Sequence, residues 1–117
     1  MSVRTVVKID LVGSKRFVGA REATNPNIRA VLLKKLLTIS QAVFPQGETP
    51  LPHGSFYKSE GDAVYFILDK PSVALRASIE FMREWFSATL PSDERCPDCR
   101  VILDRGNIED IETLLSG

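Results

Sequence analysis

The sequence predicts an α+β domain, a four-stranded antiparallel sheet with two helices on one face. Three observations carry this. Runs of β-branched and apolar residues recur at four places, bounded by Gly, Pro and polar turn residues. Two longer segments instead space their apolar residues at three and four, the helical period. The order along the chain is strand, helix, strand, strand, helix, strand, which is the split βαβ, ferredoxin-like βαββαβ core. Right-handed crossovers then lay both helices on one side of the sheet.

Residues 3–12 carry Val3, Thr5, Val6, Val7, Ile9 and Val12 and predict a buried strand, ended by Gly13. Residues 14–24 predict a largely polar loop with Lys15, Arg16, Arg21 and Glu22. Asn25-Pro26 marks a helix start, Asn as cap and Pro at the first helical position. Ile28, Val31, Leu32, Leu36, Ile39 and Val43 then give an amphipathic helix over 26–43, with Arg29, Lys34 and Gln41 outward. Pro45, Gly47, Pro50 and Pro52 make 45–52 a connection. Strands around 54–59 and 63–68 are joined by the tight turn Ser59-Glu60-Gly61-Asp62. Pro71-Ser72 opens a second helix, 72–88, whose Leu75, Ile79, Met82 and Phe86 share one face. Phe81, Trp85 and Phe86 read as core or dimer packing. Pro91 and its neighbours form a loop, Arg100-Val101-Ile102-Leu103 a fourth strand stopped near Gly106, and 108–115 a last short helix.

A chain of 117 residues is expected to form a single domain, residues 1–117, with a modest core. Fifteen basic residues balance fifteen acidic ones, so no global field favours nucleic acid or a membrane surface. The apolar runs are too short to span a bilayer, and the start at Met1 lacks a signal peptide's apolar segment. The expectation is a cytoplasmic protein with neither nucleic-acid nor membrane partners. Cys96-Pro97-Asp98-Cys99 holds both cysteines. With His53 far away in sequence, they read as two reduced thiols leading into a strand rather than as a zinc or redox site.

Chemistry concentrates at two acids. In the predicted topology the first and third strands are antiparallel neighbours, so Asp10, ending one, lies beside Asp62, beginning the other. Paired carboxylates suit magnesium or manganese, which also bind phosphates. Two such ions can activate a hydroxyl and offset charge on leaving pyrophosphate. Alternatively both acids are ordinary turn residues. Leu11-Val12-Gly13-Ser14 offers backbone N–H groups to a triphosphate, with Gly13 allowing close approach. No Walker A pattern exists in the chain. Lys58, four residues before Asp62, falls on the acid's side and can donate to a base edge; Tyr57 points to the opposite face and reads as core.

These motifs resemble the first two-thirds of a class III nucleotidyl cyclase catalytic domain. Ile9-Asp10-Leu11-Val12-Gly13-Ser14 is similar to the family's first metal-binding motif, and Lys58-Ser59-Glu60-Gly61-Asp62-Ala63 to its second. Arg100-Val101-Ile102-Leu103-Asp104-Arg105-Gly106 resembles the arginine-led strand that closes the core. The match covers residues 3–106 in order. The resemblance implies that Asp10 and Asp62, helped by the Leu11 carbonyl, hold two Mg2+ or Mn2+ ions. A nucleoside triphosphate would then be converted to a 3′,5′-cyclic mononucleotide and pyrophosphate. It makes Lys58, Tyr57, Val12, Gly13, Ser14 and Gly61 the substrate-binding residues. Lys58 usually favours adenine in this family. Tyr57-Lys58 is also compatible with the pyrimidine cyclases of anti-phage defence, which make cyclic UMP or CMP. The family's active sites are composite, formed in a head-to-tail homodimer.

The family's second base-selecting residue and its asparagine and arginine for the transition state lie beyond Gly106. Residues 107–117 do not carry that pattern, so the expectation is a domain truncated at its C-terminus. Rival readings are a degenerate cyclase-like module that dimerises or binds nucleotide without turnover, and a GGDEF-type diguanylate cyclase, whose hairpin Glu60-Gly61-Asp62-Ala63 matches only in part. A ferredoxin-like RNA binder would need exposed basic and aromatic stripes on its sheet, which the pattern does not provide.

Overall fold

A computed structural model describes residues 3–44 and 55–107. It is a small α+β domain, a four-stranded antiparallel sheet with helices packed against it, consistent with a ferredoxin-like arrangement. In chain order the elements are β1 (Val3–Leu11), α1 (Ser14–Gly19), α2 (Ile28–Val43), β2 (Phe56–Glu60), β3 (Ala63–Leu68), α3 (Pro71–Ser87) and β4 (Cys99–Asn107). The sheet order is β2-β3-β1-β4. The expected connection over 45–52 and the last helix over 108–115 lie outside the described residues.

Alternation along β1 sorts the sheet into two faces. Val7 and Ile9, with Val64, Phe66 and Leu68 of β3, bury against Leu36 of α2, Phe44 just beyond its end, and Ala74, Ala77, Phe81 and Trp85 of α3. Phe44 stacks on Phe66 with ring centroids 4.2 Å apart, and Phe56 meets the same ring edge-on at 5.7 Å. Offset and edge contacts of this kind add about 0.5–1.5 kcal/mol each beyond burial. The opposite face of the sheet carries Val6 and Ile67, flanked by Tyr57 and Tyr65. Ser40 and Ser78, fully buried in the helices, donate to the carbonyls of Leu36 and Ala74 and so cost no unsatisfied hydroxyl.

Three expectations change. Residues 14–19 are not loop but the short helix α1, seated through Val18 on Ile28, Leu32 and Leu90. Helix α2 starts at Ile28, with Asn27 rather than Asn25 at its N-cap. Asn25 instead takes the Ile28 N–H on its carbonyl, 3.1 Å, in the preceding turn. Strand β4 ends at Asn107, close to the expected stop near Gly106, and β1 pairs with it along its whole length, from Val3↔Asn107 to Leu11↔Cys99. In α3, Phe81 and Trp85 are core as expected, but Phe86 is not. Leu75, Ile79 and Phe86 are about half exposed, and the buried face is Ala74, Ala77, Ser78, Phe81 and Trp85. Small residues on that second stripe let the helix approach the sheet, while Phe81 and Trp85 fill the space further along. Trp85 also satisfies its indole N–H on the Pro97 carbonyl, 2.8 Å away.

Candidate functional site

The site forms where β1 ends beside the β2–β3 hairpin. Asp10 pairs with Ala63 across the sheet, one residue from Asp62. Gly61 takes φ 57, as glycine does at the first central position of a type II′ hairpin turn. That tight turn brings the Asp62 carbonyl to the Leu11 N–H, 3.2 Å, and so ties hairpin to strand. Gly13 takes φ 69, turning the chain from β1 into α1. The turn places Ser14, the first residue of α1, so that its hydroxyl donates to the Asp62 carboxylate.

The two acids are neighbours along the backbone but keep separate company. Asp10 shares the parity of Val6 and Lys8 on the face away from the helices. The Arg100 guanidinium grips it with two donors, at 3.3 and 3.0 Å, and Lys8 Nζ stands 3.9 Å away. In return the Asp10 carboxylate raises the Arg100 pKa above its ordinary value, chiefly through the hydrogen bond between them. Asp62 faces Ser14 and, at 3.8 Å, Arg29 at the start of α2. Each carboxylate therefore already meets cations of its own chain.

This arrangement corrects the metal expectation. Among the described residues no three His, Cys, Asp or Glu side chains come together to hold a metal ion. A centre with two Mg2+ or Mn2+ ions on Asp10, Leu11 and Asp62 is therefore not what the chain builds. The physical reason is local: two carboxylates with separate cationic partners fall short of an ion's coordination shell.

Other candidates fall at the same end with altered roles. The Leu11 and Val12 N–H groups are spent inside the fold, on the carbonyls of Asp62 and Asp98, the latter at 2.7 Å. The loop thus offers fewer backbone donors than its sequence promised. Those of Ser14, Lys15 and Arg16 precede the first bond of the helix, Phe17 N–H to Gly13, and have no partner within it. The Val12 side chain is exposed, and an added Cβ at Gly13 or Gly61 would meet open space. Lys58 pairs with Glu60 at 3.0 Å and lies 5.3 Å from the Tyr65 ring centroid; Lys8 approaches the same ring at 5.9 Å. Tyr57 was expected opposite Lys58. An irregularity in the β2–β3 register between Phe56 and Lys58 instead packs Tyr57 against Val6 and Ile67, the face that also bears Tyr65 and Lys8.

Lys8, Arg29 and Arg100 were missed as site residues. Lys8 was legible, two residues before Asp10 in one strand and hence on its side. Arg100 needed the β1–β4 register and Arg29 the docking of α2, neither of which is a local signal. Comparison with known proteins gave no matching family model and no matching curated sequence.

Proposed function

We propose that the chain is a nucleotidyl cyclase catalytic domain. It would convert a nucleoside triphosphate to a 3′,5′-cyclic mononucleotide and pyrophosphate, the base being adenine or a pyrimidine. With a pyrimidine, the product would be the cyclic UMP or CMP of a phage-defence signal. One observation carries the reading: the Asp10↔Ala63 register and the Leu11–Asp62 hydrogen bond set both cyclase-like motifs at one end of one sheet. The ribose 3′-oxygen forms a bond to the α-phosphorus, the α–β phosphoanhydride bond breaks, and pyrophosphate leaves. Under this reading Asp10 and Asp62 face the ribose hydroxyl, whose proton leaves to a carboxylate or to water. Lys8, Arg29 and Arg100 oppose the phosphate charge. Lys58 and Tyr57 lie towards the base, with Val12, Gly13, Ser14 and Gly61 around the phosphates. The site would be composite, formed between two copies in a head-to-tail homodimer.

A second reading, a cyclase-like module that binds nucleotide or dimerises without turnover, is favoured by the internal pairing of both acids. The test is to incubate the protein with ATP, GTP, UTP or CTP, each in its usual divalent-cation complex, and identify products by mass spectrometry. The cyclase reading expects a cyclic mononucleotide from the wild type, with formation lost at least about a hundredfold in Asp62→Ala. Binding of nucleotide without product selects the inert module. A cyclic dinucleotide selects the diguanylate class.

A further inference from the structure

Strand β3 is buried at every position but one. Ala63, Val64, Phe66, Ile67 and Leu68 are covered, and Tyr65 alone in the strand stays partly open. Tyr65 lies on the sheet face away from the helices and packs against Val6 and Ile67. Lys58 of β2 and Lys8 of β1 are its direct partners on the two neighbouring strands. Their ammonium groups stand 5.3 and 5.9 Å from the ring centroid, within cation–π range. An acid also positions each of them, Glu60 at 3.0 Å from Lys58 and Asp10 at 3.9 Å from Lys8. One aromatic ring is thus bracketed by two oriented cations.

The order of groups along the sheet matches the order of parts in a nucleotide. Asp10 pairs with Ala63, two residues beyond the Lys8–Tyr65 pair, roughly 7 Å along the strand. Past Asp10 come the Gly13 and Gly61 turns, tied together by the Leu11–Asp62 hydrogen bond. Ring, carboxylate and glycine turns therefore follow one another as base, ribose and phosphates do. We propose that Tyr65 is the platform on which the nucleobase stacks, with Lys8 and Lys58 donating to acceptor atoms at the base's edges. This rests on the nucleotide reading of the Asp10 end and adds to it a residue outside every motif of the sequence. Every base has a π-face, so the ring contributes affinity without choosing the base. The lysines only donate, so the edges they meet carry carbonyl oxygens or unprotonated ring nitrogens. A tyrosine present only to cover Val6 and Ile67 would be replaceable by leucine, whereas a stacking platform is not.

Titration calorimetry at one fixed protein concentration, with ATP, GTP, UTP and CTP and with inorganic triphosphate as the base-free probe, tests the platform. Wild type is expected to bind at least one nucleotide more tightly than triphosphate. Tyr65→Ala should weaken that nucleotide at least about tenfold and leave triphosphate within about twofold. Tyr65→Phe keeps the ring and should keep the affinity. Tyr65→Leu still covers Val6 and Ile67 and should lose nucleotide as Tyr65→Ala does, so a folding defect in the alanine variant does not decide the result. Undiminished nucleotide binding by Tyr65→Leu overturns the platform, as does a tenfold loss in Tyr65→Phe or an equal loss of nucleotide and triphosphate. A wild type that binds no nucleotide better than triphosphate overturns it too. If wild type still forms a cyclic product in any of these cases, the cyclase reading stands without the platform. Nucleotide held through Tyr65 but never cyclised leaves the platform standing and overturns turnover. A wild type that binds no nucleotide at all overturns both.

Discussion

Cys99 shows how the folded chain sets the chemistry of single residues. Burial pushes its thiol up to about 11, helped by the negative charges of Asp98 and Asp10 and by Cys96, and burial raises Cys96 as well. The folded state then holds a proton that the unfolded chain releases near an ordinary thiol pKa of about 8.5. Stability contributed here is full below that value and falls as pH rises from about 8.5 towards 11. Chemical denaturation at pH 8 and pH 10.5 should therefore show a larger alkaline loss in wild type than in Cys99→Ser. Reaction of the native protein with a thiol reagent at pH 8 should be slow, because little thiolate is present. Both thiols read as reduced from spacing alone, and both are free here. Their raised pKa values depend on burial, and that of Cys99 also on Asp98 and Asp10, and spacing reveals neither the burial nor the approach of Asp10. Lys8 and Asp10 on one side of a strand were equally legible, whereas Arg100 as the grip on Asp10 was not.

Helix α3 is the element for which local pattern and final packing diverge. Hydropathy at helical spacing favours Leu75, Ile79, Met82 and Phe86, yet Ala74, Ala77, Ser78, Phe81 and Trp85 face the sheet. Two stripes on one helix are both compatible with the period, and only the shape of the covering surface decides between them. Mutation should separate them sharply. Phe81, fully buried and stacked near Trp85 at 5.9 Å between centroids, should cost about 3–5 kcal/mol as Phe81→Ala. Leu75→Ala should change stability by less than about 0.5 kcal/mol at concentrations where the chain is monomeric. Urea unfolding of the two variants side by side would measure the difference; equal losses would mean that both stripes are buried. Helix α1 carries a related lesson. Its six residues are too few for a periodic signal, and it is held by Val18 against Ile28, Leu32 and Leu90 rather than by its own propensity.

Across the whole molecule, the sheet order β2-β3-β1-β4 joins residues that lie far apart in the chain. Phe66 on the central strand β3 stacks with Phe44 and meets Phe56, joining the end of α2 to the hairpin that presents Asp62. Phe66→Ala should therefore cost about 3–5 kcal/mol and lower the melting temperature of the domain as a unit, read by calorimetry. A transition that splits in two would show that the hairpin unfolds apart from the rest. The order of the four strands and two long helices, the antiparallel neighbours β1 and β3, and the adjacency of Asp10 to Asp62 followed from the sequence itself. Period, turn residues and crossover handedness leave few topologies open. The tertiary structure alone decided what surrounds the two acids. Arg100 and Lys8 close on one and Ser14 and Arg29 on the other, and among the described residues no third ligand joins them. Adjacency is a property of the backbone, which local pattern can dictate. Coordination is a property of converging side chains, and these come from β4, α1 and α2, whose docking no window of sequence contains.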